Sequence, residues 1–354
     1  MPRLTAIIAG GLVAAMIAAP ILAQRGSTSP SPECIREIVK LCRSESGEVR
    51  GCLKENFDKL SDDCADSIRS RIQDEQAAAE REKRLRERQA QRPIQRYSTI
   101  KVTRTLFYGS DPKQVIDVYT PQDAVDDLPV VLFVHGGGWR MGDNKYVQSK
   151  PAHFTASNYI FASTGYRLLP SSPVEEQAQD VGAAVQAIVG QAGSIGADPQ
   201  QIVLMGHSAG AHLAALVASD PKYADDAFDA IKGVVLLDGA GYDVPTHMAS
   251  AGPRSRDTYL NAFGNDPARQ ADLSPITHAG GRDAPNWLAL YVEGRAASQA
   301  QSQLLADALV AAGADAKAVP IANTDHGRMS REIGTEAGAK QTEAVDAFLA
   351  GVLG

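Results

Sequence analysis

From about residue 99 to residue 354, short apolar runs alternate with longer stretches whose apolar positions recur at helical spacing. Pro129-Val130-Val131-Leu132-Phe133-Val134 is continuously apolar and β-branched, the pattern of a strand buried on both faces of a parallel sheet. Tyr159 to Thr164, Ile202 to Met205, Val234 to Leu237 and Ala316 to Ile321 read the same way. Val174, Ala178, Val181, Val185 and Ile188 hold one helical face, with Pro173 near its start and Gly190 near its end. A second helix is expected over Ala211 to Val217. Before these, Thr105 to Tyr108 and Val115 to Tyr119 flank Gly109-Ser110-Asp111-Pro112, which predicts an antiparallel hairpin or meander. Strand then helix, repeated, predicts a doubly wound α/β domain over 97–354.

The first 96 residues follow other patterns. Met1-Pro2-Arg3 and the apolar stretch from Leu4 to Ala23 have the basic start and hydrophobic middle of a secretory signal, expected over 1–23 and cleaved near Ala19 to Ala23. A retained membrane anchor is the alternative, because the run is of borderline length for a span. All 4 cysteines, Cys34, Cys42, Cys52 and Cys64, follow that stretch. An even count in an exported chain predicts two disulfides, and the lack of a C-x-x-C pair argues against zinc. Segments 32–44 and 49–60 look helical around a turn at Gly47 or Gly51. A helical hairpin favours the nested pairs Cys42–Cys52 and Cys34–Cys64 among the three pairings open to four cysteines. From Asp66 to Arg96 the chain is rich in Arg, Glu, Gln and Ala, an exposed charged helix or a disordered linker.

Composition narrows the classes. A net charge of −7 gives no reason to expect nucleic acid as a partner, and 44% apolar content over 354 residues is ample for one large core. The chain is expected in the periplasm or secreted.

Three of the apolar runs end in residues that carry chemistry. Gly206-His207-Ser208-Ala209-Gly210 lies between the run ending at Met205 and the helix-like stretch, which is a G-x-S-x-G turn in a strand-turn-helix setting. Its glycines permit a sharp turn that lifts the serine hydroxyl, and the following helix N-terminus aims free N–H groups at the same spot. After Val134 comes His135-Gly136-Gly137-Gly138-Trp139, bare backbone that can present amides to an oxyanion, each donor being worth roughly 3 kcal/mol. After Ile321 comes Asp325-His326-Gly327, and His326 falls late in the chain, as the order serine, acid, histidine requires. The other 6 of the 7 histidines have weaker claims. His135 and His207 sit inside motifs where backbone is expected to matter more than rings, and His153, His212, His247 and His278 read as structural or solvated.

The combination HGGGW, Tyr166-Arg167-Leu168, GHSAG and DHG resembles the α/β-hydrolase carboxylesterases of the hormone-sensitive-lipase and feruloyl-esterase-like type, from about residue 99 to the end. The resemblance implies a mostly parallel sheet of roughly eight strands, carboxylic ester substrates and no cofactor or metal. It makes Ser208 the nucleophile, His326 the base, and the N–H groups of Gly137, Gly138 and Ala209 the oxyanion donors. The acid departs from the pattern. In such esterases it follows the next-to-last strand, about seven residues before a Gln-Ser, and that count from Gln301 reaches Gly294. Glu293, one residue earlier, is the expected acid. Asp238, at the end of Val234 to Leu237, is second, and Asp325 is disfavoured as a sequence neighbour of the base.

Residues 239–285, with Pro245, Pro253, Pro267 and Pro275, are either a cap over the site or a plain surface excursion. Residues Cys34 to Cys64 also resemble a single cysteine-rich repeat of the Golgi-glycoprotein type, a docking or spacer module rather than a catalytic one. The expected function is an exported serine carboxylesterase acting on small or aryl esters. The alternatives are a peptidase of the same fold, or a hydrolase body that lost activity and binds a partner, motivated by the missing aspartate at Gly294.

Overall fold

The computed structural model describes residues 31–42, 52–53, 56–70, 100–123 and 127–354. The proposed signal (1–23), the turn at Gly47 or Gly51 and most of the charged segment lie outside the described residues. The chain divides into Met1–Pro93 and Ile94–Gly354.

In the first unit, α1 (Pro32–Leu41) starts on Ser31, whose hydroxyl accepts from the Cys34 amide at 3.1 Å, with a proline in its first turn. Phe57–Lys59 is a single 3-10 turn, and residues 62–70 form α2. Within the expected helix 49–60, Cys52 and Leu53 are helical and the Asn56 amide donates to the Cys52 carbonyl at 3.0 Å; Leu60 is extended, and the next helix begins after Ser61, whose amide and hydroxyl are held by Glu37 at 2.6 and 2.7 Å. Cys34 pairs with Cys64 and Cys42 with Cys52, the nested arrangement. The cysteines pack with Ile38, Leu53, Leu60 and Ile68 into a small core that the two bridges supplement, as a unit this short requires.

The second unit carries an eight-stranded sheet of order β1-β2-β4-β3-β5-β6-β7-β8. Its strands are β1 (Arg104–Phe107), β2 (Val115–Tyr119), β3 (Leu128–Val134), β4 (Ile160–Thr164), β5 (Ala197–His207), β6 (Ile231–Leu237), β7 (Asn286–Val292) and β8 (Asp315–Ile321). β2 alone runs opposite to the other strands, antiparallel to β1 and to β4. The other pairings are parallel. This is the α/β-hydrolase fold expected from the sequence.

Both faces of the central strands are covered, which is why those strands are continuously apolar. One apolar cluster joins Val130, Leu132, Val134, Ile202 and Leu204 to α4 (Val174–Gly190) and α5 (Ala209–Ser219). The opposite cluster joins Val131, Phe133, Val203 and Met205 to residues of α3 (Lys150–Ala156), α9 (His326–Arg331) and α10 (Ala339–Leu353). All eleven residues of α5 are buried, so the helix that begins at the G-x-S-x-G turn is fixed at the centre of the molecule.

Between β6 and β7 the chain forms α6 (Val244–Ser250), α7 (Pro253–Phe263) and the short helices Pro267–Asp272 and Pro275–His278. Each has a proline in its first turn, where the missing N–H costs nothing. This segment is no plain surface excursion. Tyr242, Val244, Phe263 and Leu273 are fully buried, and Arg269 Nη2 bonds Glu175 of α4 at 2.7 Å. After β7, α8 (Ala296–Ala311) holds the start of the segment through Gln301, whose Oε1 accepts from Gly241 and Asp243 amides at 3.1 and 2.9 Å.

Candidate active site

Ser208 closes β5 and caps α5 with φ 57° and ψ −120°, a conformation an L-residue adopts only when its surroundings force it. The forcing comes from glycines. A Cβ on Gly210 would stand 2.2 Å from the Val134 carbonyl oxygen, and one on Gly206 would stand 2.3 Å from that of Gly210. No side chain fits at either place, so strand and helix approach closely and the hydroxyl is lifted off the sheet edge.

The strand register determines what stands beside it. His207 pairs with Leu237 across parallel β5 and β6, so the next residues, Ser208 and Asp238, leave adjacent strands side by side. The Ser208 amide donates to the Leu237 carbonyl at 3.1 Å, and the Asp238 amide to that of Leu290 at 2.7 Å. His326 opens α9 after β8. Its Nδ1 lies 2.7 Å from Asp238 Oδ2 and its Nε2 3.0 Å from Ser208 Oγ. In that arrangement Nδ1–H donates to the carboxylate and Nε2 accepts from the serine.

Asp238, not Glu293, is therefore the carboxylate on His326. Glu293 follows β7, one strand farther from the serine; its side chain is exposed and its amide donates to the Ile321 carbonyl at 3.0 Å. The end of β7 still contributes, because the Val292 amide donates to Asp238 Oδ1 at 3.0 Å. Asp325 is turned to its own helix, accepting from the Gly327 and Arg328 amides at 2.9 and 2.8 Å. Burial pushes the Asp238 carboxyl up, but hydrogen bonds from His326 and Val292 and the nearby Arg295 guanidinium outweigh it and hold the acid below its ordinary range. It stays ionised, as a partner that stabilises an imidazolium must.

The ring of His207, in a motif where backbone was expected to matter more than rings, also contacts the site. Its Nε2 donates to the His326 carbonyl at 2.7 Å, and the two rings lie 4.8 Å apart. Burial, then the charge of His326, lowers its pKa from 6.5 to about 3, so it remains a neutral donor.

The glycine loop passes over the serine. A Cβ on Gly136 would be 3.0 Å from Ser208 Cβ. Gly137 and Gly138 have φ of 137° and 60°, and the Gly137 carbonyl accepts from the Met141 amide at 3.1 Å, closing the turn. Among the described residues the amides of Gly137, Gly138 and Ala209 donate to no protein acceptor. His135 stacks on Tyr166 at 4.3 Å, and the Tyr166 hydroxyl donates to the His135 carbonyl at 2.8 Å, which fixes the loop's base. Its far end is Trp139, buried against Tyr259 and Phe263 of α7 at 5.2 and 4.9 Å. Thr258 Cγ2 comes within 3.5 Å of where a Gly138 Cβ would stand. The segment between β6 and β7 thus walls the site beside the glycine loop.

A serine raised on a strand-helix turn, an imidazole bridging it to a buried carboxylate, and unclaimed amides overhead define an α/β-hydrolase of the esterase class. The BD-FAE family model matches residues 116–309, and the chain belongs to that family. A probable isoprenylcysteine alpha-carbonyl methylesterase ICME of Oryza sativa subsp. japonica is 35% identical over 114 residues, covering 32% of this chain and 28% of that protein. The chain therefore aligns with little more than a quarter of that relative's length. A kynurenine formamidase of Danio rerio is 27% identical over 64% of this chain and 75% of its own. Thermogutta terrifontis esterase 2 superposes with a TM-score of 0.60 at 22% identity, covering 71% of this chain and 96% of that one, a likeness of fold.

Proposed function

We propose that the protein hydrolyses small or aryl carboxylic esters by acyl transfer through Ser208. The hydroxyl attacks the ester carbonyl while His326 Nε2 takes its proton, and the amides of Gly137, Gly138 and Ala209 receive the oxyanion. His326, now protonated and held by Asp238, gives the proton to the leaving alcohol. Water then attacks the acyl-serine by the reverse proton path, releasing acid and free serine. The observation that carries this reading is the continuous line from Ser208 Oγ through His326 to Asp238 at 3.0 and 2.7 Å. It also removes the motive for a disabled scaffold, since the carboxylate missing at Gly294 is supplied from β6.

The test is release of 4-nitrophenolate from 4-nitrophenyl acetate and butyrate by the full, disulfide-intact chain. Turnover that falls at least about 10³-fold in Ser208→Ala supports the reading. No turnover by folded wild type, or equal turnover by the variant, overturns it.

The exported location belongs to the same proposal, supported by the apolar stretch at Leu4 to Ala23 and by the two disulfides, which persist in oxidising compartments. The cysteine-bridged unit, similar to a cysteine-rich repeat, is assigned a docking or spacing role. Cell fractionation that finds the chain with reduced cysteines in the cytoplasm rejects the location.

A further inference from the structure

Arg295 stands in the turn between β7 and α8, next to the Gly294 position that the esterase resemblance reserves for an acid. Its Nη1 lies 3.1 Å from Asp238 Oδ2, the oxygen that also accepts from His326. The Asp238 side chain has no solvent exposure and that of Arg295 is 41% exposed, so a partly solvated cation adjoins the buried end of the triad. Asp238 does not need it for hydrogen bonding, because His326 and the Val292 amide already serve its two oxygens. A guanidinium has five N–H donors in a planar fork shaped for carboxylates. Among the described residues Asp238 is the ion-pair partner of this one, and the side chain keeps 41% of its surface exposed.

The segment between β6 and β7 places an aromatic cluster nearby. His247 of α6 and Tyr259 of α7 stack with ring centroids 4.2 Å apart, and Tyr259 meets Trp139 of the glycine loop edge-on. The Arg295 charge is felt at both rings: burial lowers the His247 pKa and the guanidinium lowers it further, while at Tyr259 the guanidinium opposes the rise caused by burial. Aromatic contacts thus run from the glycine loop through Tyr259 to His247, and Arg295 lies within electrostatic reach of both of the latter rings. The chain is net −7, so this cation is a local feature and not part of a generally basic surface.

We propose that Arg295 makes the site selective for esters that carry a carboxylate on the acyl or leaving group, the guanidinium receiving that carboxylate while the ester carbonyl lies at Ser208. The inference rests on the reading of Ser208 as nucleophile.

The experiment compares kcat/KM for two matched pairs, each with one anionic and one neutral ester. Mono-4-nitrophenyl glutarate against 4-nitrophenyl valerate probes the acyl side, and 4-acetoxybenzoate against 4-acetoxybenzamide probes the leaving group. Because Arg295 also touches Asp238, the readout is the anionic-to-neutral ratio within each pair, which a general loss of activity does not move. In at least one pair that ratio is expected to fall 10- to 100-fold in Arg295→Gln, mainly through KM of the anionic ester, to be partly restored in Arg295→Lys, and to decline with salt in wild type. Ratios unchanged within twofold in both pairs, with neutral esters still hydrolysed, overturn the role of Arg295 alone. Wild type that hydrolyses none of the four overturns the ester-hydrolase reading and this inference with it.

Discussion

Lys150, the first residue of α3, is fully buried. Its ammonium lies 4.7 Å from the Phe133 ring centroid, and Gln148 Oε1 accepts from it at 3.3 Å, a long hydrogen bond. Burial pushes its pKa from 10.5 down to about 7. Between those values the unfolded chain binds a proton that the folded chain does not, so stability falls as pH is lowered from 10.5 toward 7 and the penalty is complete below that. At about 1.4 kcal/mol per pH unit, the interval amounts to on the order of 4 to 5 kcal/mol. Lys150→Met removes the ionisation while keeping most of the volume, and forfeits a weak hydrogen bond and, where the amine is protonated, a cation–π contact, together worth about 1 to 2 kcal/mol. The variant is therefore predicted to be more stable than wild type by about 2 to 3 kcal/mol at pH 7, with the gain shrinking to nothing or reversing by pH 10. Urea unfolding of both proteins at pH 6, 7, 8, 9 and 10, with disulfides intact, measures this. A difference that does not change between pH 7 and 10, or a variant that is the less stable at pH 7, refutes the reasoning.

Acid destabilisation is expected from three other buried bases. Burial lowers His135 and His212 from 6.5 to about 4 and His207 to about 3, so the unfolded chain protonates first and stability falls as pH drops from about 6.5 toward 4. Urea midpoints that stay flat over that range contradict it. His207→Leu loses the donor to the His326 carbonyl and is predicted to lower kcat about 10-fold with little change in KM, while His207→Gln keeps part of the rate. Steady-state kinetics on a neutral ester decides, and equal losses in both variants reject the positioning role.

The strands and the two ends of the Ser208–His326 contact were legible because their signals are local: continuous apolar runs, glycines that only a tight turn demands, and a late histidine after a strand. The acid was not, because its place depends on which strand edges are neighbours. Asp238 and Glu293 each directly follow a strand, and only the pairing of His207 with Leu237 decides that β6 delivers its carboxylate to the serine. The His207 ring bonds a carbonyl 119 residues away, and no sequence spacing announces such a contact. Between β6 and β7 the prolines were visible but their meaning was not. They open helices, and what those helices cover is settled by Trp139 meeting Tyr259 and Phe263, residues distant in sequence.

The central claim is that Ser208 is activated through His326 by Asp238, and the most direct measurement is the rate of covalent labelling by a fluorophosphonate in wild type, Ser208→Ala, Asp238→Asn and Glu293→Gln. The account predicts no labelling of Ser208→Ala, labelling slowed by roughly 10³-fold or more in Asp238→Asn, and a wild-type rate in Glu293→Gln. Wild-type labelling of Asp238→Asn together with a collapse in Glu293→Gln, or labelling that survives in Ser208→Ala, would contradict it.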